Sequence, residues 1–454
     1  MGPLISVVIP VYNAAAHLRV CLAALAASSR QPLECIVVDD GSTDGSAEAA
    51  RQAGAIVLSS GGRAGPARAR NIGAQAAQGD ILFFLDSDVS VHADTLDRVV
   101  RGFEEDFSLD ALIGSYDMSP GSQDFLSQYK NLMHCYVHQK GKSAACTFWS
   151  GCGAIRRAVF LKHAGFDESY GRPAIEDIEL GYRLRTAGCK VILDKDILVT
   201  HLKRWTFWGL LKTDILDRGI PWTELILRDR YMPNDLNLEL SQRVSVALAF
   251  LLVGVTIAAA VYWGAYFLVP LMALLLLLLS HYWLEFATGR KSALVLLALG
   301  SLVALIVWLA VRNHMRYIVY PLLLGCLLLL LRHRYGDTPD AGRRSFPELI
   351  VAVYIVGTTA YMAAHLPAHW IIFSFFVIGA LLVVINNRFY LFLAAKRGRL
   401  FALAALPFHL LYHLYNGFSF IAGIAHYYWM KLLHKDASAS LAESEDVPIQ
   451  AKMR

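Results

Sequence analysis

The sequence has little charge and few cysteines, and both scarcities exclude kinds of protein. Charged residues make up 17% of the 454 residues, and none of them lies in the stretch 244–284. The seven cysteines are an odd number without a Cys-x-x-Cys pair, which argues against a disulfide framework and a zinc site. The net charge of +5 is modest for this length, so nucleic acid is not expected as a partner.

The second half of the chain consists largely of runs without Asp, Glu, Lys or Arg. The mean hydropathy of +0.43 is too high for an ordinary soluble protein. Uncharged runs occupy 244–284, 292–311, 317–331, 349–387 and 400–430. A membrane-spanning helix requires about 20 apolar residues, so we predict an all-α, multi-span transmembrane domain of about six or seven helices over 244–430. Core helices of a soluble protein, the alternative, would carry a polar stripe.

Basic residues cluster in the loops between these runs. They are Arg290 and Lys291, Arg332 and Arg334, Arg343 and Arg344, then Arg388, Lys396, Arg397 and Arg399. Because cytoplasmic loops carry the excess of Lys and Arg, the pattern predicts a multi-pass protein of the inner (plasma) membrane with a cytosolic amino-terminal domain. Arg312 and Arg316 fall on the opposite side in this count. No signal peptide is expected, since residues 4–9 already form a core-like strand.

The first half alternates between strand and helix patterns. Apolar runs typical of buried strands lie at 4–9, 33–38, 55–58 and 80–85, with helical periodicity at 13–27 and 67–78. Short loops between alternating strands and helices predict a doubly wound, mostly parallel α/β sheet with right-handed crossovers.

Acidic and polar turns follow three of these strands. They lie at 10–13, 39–44 and 86–88, and the last of them ends the run DILFFLDSD. In an open α/β sheet, ligands bind at the carboxyl ends of the strands, and Asp86 and Asp88 can share one divalent cation. A solvated turn is the alternative, because Asp and Ser are ordinary turn residues.

Two arginines follow the glycine-rich loop at 61–65. Arg68 and Arg70 stand near the start of the helix predicted over 67–78, where guanidinium groups can bind the phosphates of a ligand at the sheet edge. A solvated helix face is an equal alternative for each of them.

Five longer runs carry a specific resemblance. In order within 4–201 they read SVVIPVYNAAAHL, ECIVVDDGSTDGS, ARARNIGAQAAQGDILFFLDSD, FWSGCGAIRRAVFLKHAGFDES and IEDIELGYRL. Together they resemble the family 2 glycosyltransferases of the GT-A fold. The resemblance implies a Rossmann-like GT-A domain that binds a nucleotide sugar, a UDP- or GDP-sugar, across the first half of the sheet with a divalent metal, Mg or Mn.

The resemblance also assigns roles to individual residues. Tyr12 would stack near the base, Asp40 would hydrogen-bond it, and Asp86 would face the ribose. Asp88 would hold the metal that bridges the two phosphates, and Asp177 would be the catalytic base. The implied nucleotide-sugar site comprises Pro10, Tyr12, Asn13, Asp40, Arg70 and Asp86, the metal ligands are Asp88, Asp86 and His201, and the catalytic pair is Asp177 and Glu176.

The acidic pair Glu176 and Asp177 also has an interpretation from its surroundings. A strand with glycines that admit a ligand is predicted at 148–154, a loop rich in Gly and Pro follows, and the pair then opens a helix predicted over 175–185. Acids also favour a helix start through the macrodipole alone. A single base fits direct displacement with inversion, because it needs only to remove the proton of the acceptor hydroxyl.

The segment HLKRW at 201–205 follows two short strands predicted between 190 and 201. Processive members of the family have Gln-x-x-Arg-Trp at such a position, where it holds the acceptor. By this comparison Arg204 and Trp205 would contact the acceptor, and His201 replaces the glutamine. His201 would either complete the metal shell through its neutral ring or have a structural role.

Three segments are expected to contact the membrane, and a polar tail follows them. Tryptophans among basic residues predict amphipathic interfacial helices over 204–243, and 388–399 resembles a second such helix. Polar residues within 407–417 mark either a lipid headgroup path or hydrogen bonds between helices. The polar tail at 431–454 is predicted to be disordered. The predicted domains are therefore 1–203 for the GT-A domain, 204–243, 244–430 and 431–454.

These patterns predict a membrane-bound, metal-dependent, inverting glycosyltransferase. It would move a sugar to a lipid or lipid-linked glycan acceptor at the cytosolic membrane face, in envelope polysaccharide or glycolipid assembly. One alternative is a processive polysaccharide synthase whose spans form a secretion channel. The other is a transporter or scaffold with an inactive sugar-binding domain, against which the presence of Asp88 and Asp177 argues.

Overall fold

The computed structural model describes residues 2–263, 272, 290–312 and 369–445. These fall into two compact units. The first combines the described residues of Met1–Gln242 and Tyr415–Arg454, and the second is Arg243–Leu414. The carboxyl-terminal segment thus belongs to the same unit as the amino-terminal half.

The first unit is built on an eight-stranded mixed sheet. Its strands are β1 Ile5–Val11, β2 Glu34–Asp39, β3 Ile56–Ser59, β4 Ile81–Leu85, β5 Val89–Val91, β6 Ala111–Tyr116, β7 Cys152–Arg156 and β8 Val191–His201. Their order in the sheet is β3-β2-β1-β4-β7-β6-β8-β5. The strands β3, β2, β1 and β4 are parallel, β7 is antiparallel to both of its neighbours, and β5 is antiparallel to β8.

Helices cover both faces of this sheet. They are α1 Ala15–Ala26, α2 Ser46–Gln52, α3 Pro66–Ala76, α4 Thr95–Glu105, α5 Phe125–Lys140, α6 Arg157–Lys162 and α7 Glu176–Thr186. Alternate residues of β1 and β4 enter opposite clusters: Val7 and Phe83 pack with α1 and α4, whereas Val8 and Phe84 pack with α3, α6 and α7. Strands buried on both faces explain why their sequences read as continuous apolar runs.

The parallel half of the sheet agrees with the sequence prediction, and the rest differs. The sheet is mixed rather than mostly parallel, because β7 lies between β4 and β6. The strand predicted at 148–154 begins only at Cys152. The residues before Cys152 instead lie against helix α7. A Cβ on Gly181 of this helix would be 2.2 Å from the backbone nitrogen of Phe148. The two strands predicted between 190 and 201 form one, β8, which is paired to β6 with a register shift.

Two helices and a π-helix follow the sheet. They are α8 Phe207–Lys212, the π-helix Thr213–Gly219 and α9 Ile220–Asp229. The carboxyl-terminal part of the chain packs on them within the first unit. A Cβ on Gly219 would be 2.5 Å from the Cβ of Ser419, and a Cβ on Gly423 would be 2.6 Å from the Cβ of Thr223. Small residues four apart on both partners therefore permit very close helix packing.

The remaining described helices form a helical C-terminal region. They are α10 Leu240–Trp263, α11 Arg290–Arg312, α12 His369–Ile385, α13 Asn387–Arg397 and α14 Arg399–Glu445. Among the described residues one helix, Leu240–Tyr262, is long and apolar enough to cross a membrane, and Ser374–Ile385 with Asn387–Arg397 forms a second candidate bent by 65°.

Much of the predicted multi-span domain lies outside the described residues. The run 317–331 falls there completely, as do most of 264–284 and the first part of 349–387. The tail differs from its prediction, since α14 continues as a helix to Glu445 and only 446–454 lies outside the described residues.

Candidate active site

Polar residues follow β1, β2 and β4 at one edge of the sheet, which we call the acidic edge. It comprises Tyr12 and Asn13, the turn 39–44, and the segment 86–88. The Asn13 nitrogen donates to Ser42 Oγ at 3.0 Å, and the Asn13 side-chain oxygen accepts from the Thr43 nitrogen at 2.8 Å. These bonds connect the turns that follow β1 and β2.

Tyr12 gives this edge an open aromatic surface. Its side chain is 41% exposed, and the guanidinium of Arg63 lies 4.6 Å from its ring centroid. Pro10, in contrast, is buried inside β1 opposite Val38. Pro10 therefore shapes the strand end and offers no open contact surface.

Asp40 is buried and holds the glycine-rich loop. Its carboxylate accepts hydrogen bonds from the Ser60 hydroxyl at 2.7 Å, the Ala64 nitrogen at 2.9 Å and the Gly65 nitrogen at 3.0 Å. The sequence suggested that Asp40 would bind a nucleotide base. Most of its acceptor positions are taken by the loop, which also carries Arg63 beside Tyr12.

Arg70 connects the acidic edge to the start of α7. It donates to Asp86 Oδ1 at 2.7 Å and to Glu176 Oε1 at 2.8 Å, and its side chain is only 5% exposed. Burial lowers the pKa of Arg70, but the two carboxylates outweigh burial and raise it. Arg70 was expected to meet phosphates. The structure instead pairs its terminal nitrogens with carboxylates, and Asp86 is correspondingly turned toward Arg70.

Asp88 and His201 approach each other across β5 and β8. The distance from His201 Nε2 to Asp88 Oδ2 is 3.8 Å, and the Leu202 nitrogen donates to the Asp88 carbonyl at 2.8 Å. Burial opposes ionisation of Asp88, yet contacts with His201 and the charges of Lys203 and His17 lower its pKa to about 2. His201 is buried and stacks on Tyr116 with ring centroids 4.4 Å apart.

This pair fits a divalent cation in its donor chemistry. A carboxylate oxygen and an imidazole nitrogen are suitable ligands for Mn²⁺, and Mg²⁺ commonly binds through one or two carboxylates plus water and substrate phosphates. No group of three or more His, Cys, Asp or Glu side chains capable of holding a metal occurs in the described part of the chain. Asp88 and His201 are thus two side chains that would hold such a cation.

Glu176 and Asp177 open α7 and have different surroundings. Glu176 is buried, paired with Arg70, and accepts from the Ala174 nitrogen at 2.9 Å. Asp177 is half-buried and accepts from the nitrogen and the hydroxyl of Ser150 at 3.1 and 3.2 Å. Burial and the charge of Glu176 raise the pKa of Asp177 to about 6, although Arg70 and Ser150 act in the opposite direction. Asp177 can therefore accept a proton near neutral pH.

The two residues expected at the acceptor side are placed very differently. Trp205 is 5% exposed, and its backbone nitrogen donates to Ser127 Oγ at 2.7 Å. Arg204 has a side chain that is 77% exposed and lies 3.9 Å from Asp124. Trp205 is therefore an anchor in the core and does not present its ring for stacking, whereas Arg204 is accessible.

Sequence reasoning missed the aromatic residues beneath this site. Tyr116 at the end of β6 stacks with His201 and, at 6.0 Å, with His134 of α5, and it makes a T-shaped contact with Trp149 at 4.7 Å. Ser150, next to Trp149, was also missed as the partner of Asp177. The run FWSGCG contained both residues, but nothing local to it indicates what they would meet.

Comparisons with known proteins agree with the resemblance. The family model "Glycosyl transferase family 2" matches residues 6–163. Glycosyltransferase GlyG of Streptococcus pneumoniae is 34% identical over 222 residues, which are 45% of this chain and 72% of the relative. An uncharacterized glycosyltransferase of Haemophilus influenzae is 41% identical over 101 residues, and AglE of Haloferax volcanii is 40% identical over 105 residues. These matches cover 21% and 22% of this chain and only 40% and 34% of those two relatives.

Solved structures were matched as well. The mannosyltransferase PcManGT from Pyrobaculum calidifontis, in complex with GDP-Man and Mn²⁺, is 17% identical with a TM-score of 0.37. That match covers 86% of this chain and 87% of the mannosyltransferase. TarS from S. aureus in complex with UDP-GlcNAc is 20% identical with a TM-score of 0.38, over 50% of this chain and 66% of that chain.

Proposed function

The chain belongs to glycosyltransferase family 2, and on this premise we propose that it is an inverting transferase that moves a sugar from a nucleotide sugar to a hydroxyl of a lipid or lipid-linked glycan. The single observation that carries the proposal is the contrast within the acidic pair. Glu176 is neutralised by Arg70 at 2.8 Å, whereas Asp177 has no ion pair among the described residues and a pKa raised to about 6 by burial and by Glu176. One carboxylate is thus held as a structural anion and the other is a proton acceptor.

The donor, a UDP- or GDP-sugar, would bind at the acidic edge. The exposed ring of Tyr12 offers a stacking surface for a base, and Asn13 and Asp40 fix the turns on either side of it. Asp86 and Arg70 would lie beneath the sugar and the diphosphate. Two observations support this placement. Tyr12 and Arg63 are exposed to solvent, and they lie at the edge of the sheet where α/β proteins bind ligands.

Asp88 and His201 would hold the metal, Mg or Mn. Bound there, the metal would neutralise charge on the departing diphosphate. The low pKa of Asp88, about 2 despite the opposing effect of burial, keeps that carboxylate ionised and available as a ligand at all physiological pH values. Asp86 would contribute only through its oxygen that does not face Arg70.

Asp177 would act as the general base. The acceptor hydroxyl oxygen forms a bond to the anomeric carbon while the bond from that carbon to the diphosphate oxygen breaks. The diphosphate leaves with the electron pair, and the hydroxyl proton moves to the Asp177 carboxylate. Ser150 holds this carboxylate through two hydrogen bonds. Because the hydroxyl attacks the face opposite the departing diphosphate in a single displacement, the anomeric configuration is inverted.

The proposal includes a multi-pass protein: its helical C-terminal region would cross the inner membrane several times, and its catalytic unit would lie in the cytosol. The large apolar side chains exposed on α10 support contact with lipid, and they are Val244, Phe250, Leu251, Ile257, Val261 and Tyr262. Trp208, which is 77% exposed within the predicted interfacial segment 204–243, supports an approach to the headgroup layer. An acceptor at this surface fits glycolipid or envelope polysaccharide assembly.

A donor panel tests the proposal directly. The full chain in detergent is given single nucleotide sugars with Mn²⁺ and membrane extract, and release of nucleoside diphosphate is measured. We expect one donor to give release that requires extract and that Asp177→Asn abolishes. The matched control Arg51→Gln, an exposed residue of α2, should behave as wild type. Equal release by wild type and Asp177→Asn for every donor would contradict the proposal.

A further inference from the structure

Two histidines lie buried on one face of α14. His409 and His413 are 3% and 2% exposed, and their spacing of four residues places them as neighbours on the same side of the helix. Their ring centroids are 4.4 Å apart, with an angle of 44° between the ring planes. Both residues belong to the second unit, Arg243–Leu414. Ionisable side chains buried in an apolar helical region are costly and point to a functional site.

The ring of His409 is held by residues of α13. The Tyr390 hydroxyl lies 2.9 Å from His409 Nδ1, and the ring of Phe389 packs on His409 with centroids 4.8 Å apart. In the tautomer in which Nδ1 donates to the Tyr390 hydroxyl, the lone pair of His409 lies on Nε2. Metal-binding histidines are commonly oriented in this way, through the ring nitrogen that does not contact the metal.

His413 is buried beside His409 without a bond of this kind. Both of its ring nitrogens are buried, and neither makes a hydrogen bond within the described residues. The rings of Tyr412 and His409 surround it, with centroids 5.4 and 4.4 Å away. A buried polar group without a hydrogen bond is costly. A ligand that binds His413 would remove this cost.

The distance between the two rings suits a metal ion. Imidazole nitrogens bind Zn²⁺ at about 2.0–2.1 Å, so two rings bound to one ion at an angle of about 90–109° have centroids about 4.5–5 Å apart. The 4.4 Å between His409 and His413 is close to this range. Histidines four apart on one helix face are also a recurrent pair of zinc ligands. Imidazole ligands without a carboxylate favour Zn, Cu or Ni over Mg or Ca.

This pair is separate from the metal ligands proposed for catalysis. Asp88 and His201 belong to the first unit, and their carboxylate suits Mg or Mn. No third His, Cys, Asp or Glu completes a metal-binding group with the two histidines in the part of the chain that the structure describes. An ion held by two imidazoles keeps open positions, unlike the closed structural zinc sites. Because both ligands are histidines, the cysteine pattern that argues against a zinc site does not apply to this one.

We propose that His409 and His413 bind a transition-metal ion of the zinc type, and that Tyr390 orients His409 toward it. Tyr390 is half-buried, so the cluster reaches the surface of the second unit at this residue. The ion would satisfy the unpaired ring of His413 and leave coordination positions for a further ligand. This inference does not depend on the proposed transfer reaction.

A cobalt titration tests the site without donor or acceptor. The full chain, without a histidine tag, is titrated in detergent with Co²⁺, visible absorption is recorded, and Zn²⁺ is then added. We expect wild type to give a saturable absorption that Zn²⁺ removes, and His409→Leu and His413→Leu to abolish it. Tyr390→Phe should raise the Kd for Co²⁺ about 10- to 100-fold, the usual effect of removing the partner of a metal-binding histidine. The matched control is Tyr428→Phe, an exposed tyrosine of α14, which should leave the Kd unchanged.

A further variant separates this site from the proposed catalytic metal ligands. His201→Asn removes the histidine that faces Asp88. We expect this variant to keep the cobalt absorption that His413→Leu loses. An absorption that depends on His201 and not on His413 would assign the cobalt to the first unit and overturn the inference.

Thermal unfolding gives a second measurement of the same site. Without metal, His413→Leu should be at least as stable as wild type, because an apolar group replaces an unpaired buried polar one. Zn²⁺ should raise the unfolding temperature of wild type and not that of His413→Leu, since a ligand stabilises only the state that binds it.

The inference is overturned if wild type gives no cobalt absorption that Zn²⁺ removes, or if His409→Leu and His413→Leu give the wild-type signal. Equal effects of Zn²⁺ on the unfolding temperatures of wild type and His413→Leu would overturn it as well. If neither leucine variant folds, Tyr390→Phe decides, and a Kd equal to that of wild type then excludes the site.

Discussion

The acidic edge is built differently from the cluster of rings formed by Tyr116, His134, His138 and Trp149, which we call the aromatic wall. At the edge, polar side chains are bonded to one another: Asp40 accepts three hydrogen bonds and Arg70 joins two carboxylates. At the wall, the rings pack on one another, and His138 Nδ1 is buried without a hydrogen-bond partner among the described residues. A bonded edge is preorganised and binds without reordering. The wall is held together by ring packing instead.

Replacing the base should have the largest effect of all on function. Asp177→Asn should lower turnover about 10²- to 10⁴-fold, the usual contribution of a positioned general base. Donor affinity should stay nearly unchanged, because the donor contacts lie at the acidic edge. Calorimetry of donor binding beside product formation measures both in one preparation. A parallel collapse of donor affinity would make Asp177 a binding residue and Glu176 the better candidate for the base.

Breaking the bonded edge should cost stability more than any change at the wall. Arg70→Gln leaves Glu176, with a side chain that is 4% exposed, without its cation. We expect the free energy of unfolding to fall by about 3–5 kcal/mol, the usual loss when one partner of a buried ion pair is removed. Denaturant unfolding of Arg70→Gln and Arg51→Gln provides the comparison, and the exposed Arg51 should change by less than about 0.5 kcal/mol. Equal losses in the two variants would refute the idea of a preorganised edge.

Replacing the proposed metal ligand Asp88 should have a somewhat smaller effect on turnover, and this effect should depend on the metal concentration. Asp88→Asn keeps the shape of the side chain but removes the charge opposite His201. Turnover should fall by about 10²-fold at fixed Mn²⁺, since bound metal is worth several kcal/mol to the transition state. Raising Mn²⁺ should recover part of the loss, and a chelator should inhibit wild type completely. Unchanged metal dependence in Asp88→Asn would exclude Asp88 as a ligand.

Replacing Asp40, which holds the glycine-rich loop, should have the smallest effect of these. Asp40→Asn places an amide group where the carboxylate now accepts from the Ala64 and Gly65 nitrogens. One backbone donor would lose its acceptor, at a cost of about 1–3 kcal/mol in the free energy of unfolding. Donor affinity should weaken with it, because the same loop carries Arg63 beside Tyr12. A variant that weakens donor binding without any loss of stability would show that Asp40 contacts the nucleotide directly.

The sequence predicted best where structure depends on local pattern. The runs that became β1, β2 and β4 are apolar on both faces, so their burial and parallel order followed from composition. The acidic edge followed too, since each of its turns directly ends a strand. The position of β7 could not be predicted in this way, because its antiparallel pairing with β4 joins residues such as Leu85 and Cys152 that are far apart in the sequence.

The structure adds contacts with distant partners that the sequence does not indicate. Arg70 bonds to Glu176 across 106 positions, and the Trp205 nitrogen bonds to Ser127 across 78. Neither contact has a local signal, so Arg70 was expected at a phosphate and Trp205 at an acceptor. The aromatic wall was missed for the same reason, since β6, α5 and the segment before β7 each contribute one or two residues to it.

The central claim is that Asp177 is the base, and the pH dependence of kcat/KM tests it most directly. Because burial and Glu176 raise the pKa of Asp177 to about 6, activity should fall tenfold per pH unit below about pH 6 and be constant just above it. The raised pKa also means that ionised Asp177 costs stability, and this cost builds up as the pH rises from the ordinary pKa of an aspartate to about 6 and is constant above it. At pH 8, Asp177→Asn should therefore be more stable than wild type by up to about 3 kcal/mol.

Wild-type kcat/KM is measured from pH 4.5 to pH 8 with the donor and acceptor from the panel, beside unfolding of wild type and Asp177→Asn at both ends of this range. The account predicts an acidic limb near pH 6 in wild type, and a stability gain in the variant that is clearly larger at pH 8 than at pH 4.5. A limb below about pH 4.5, near the ordinary pKa of an aspartate, together with a variant that is less stable at pH 8, would contradict it.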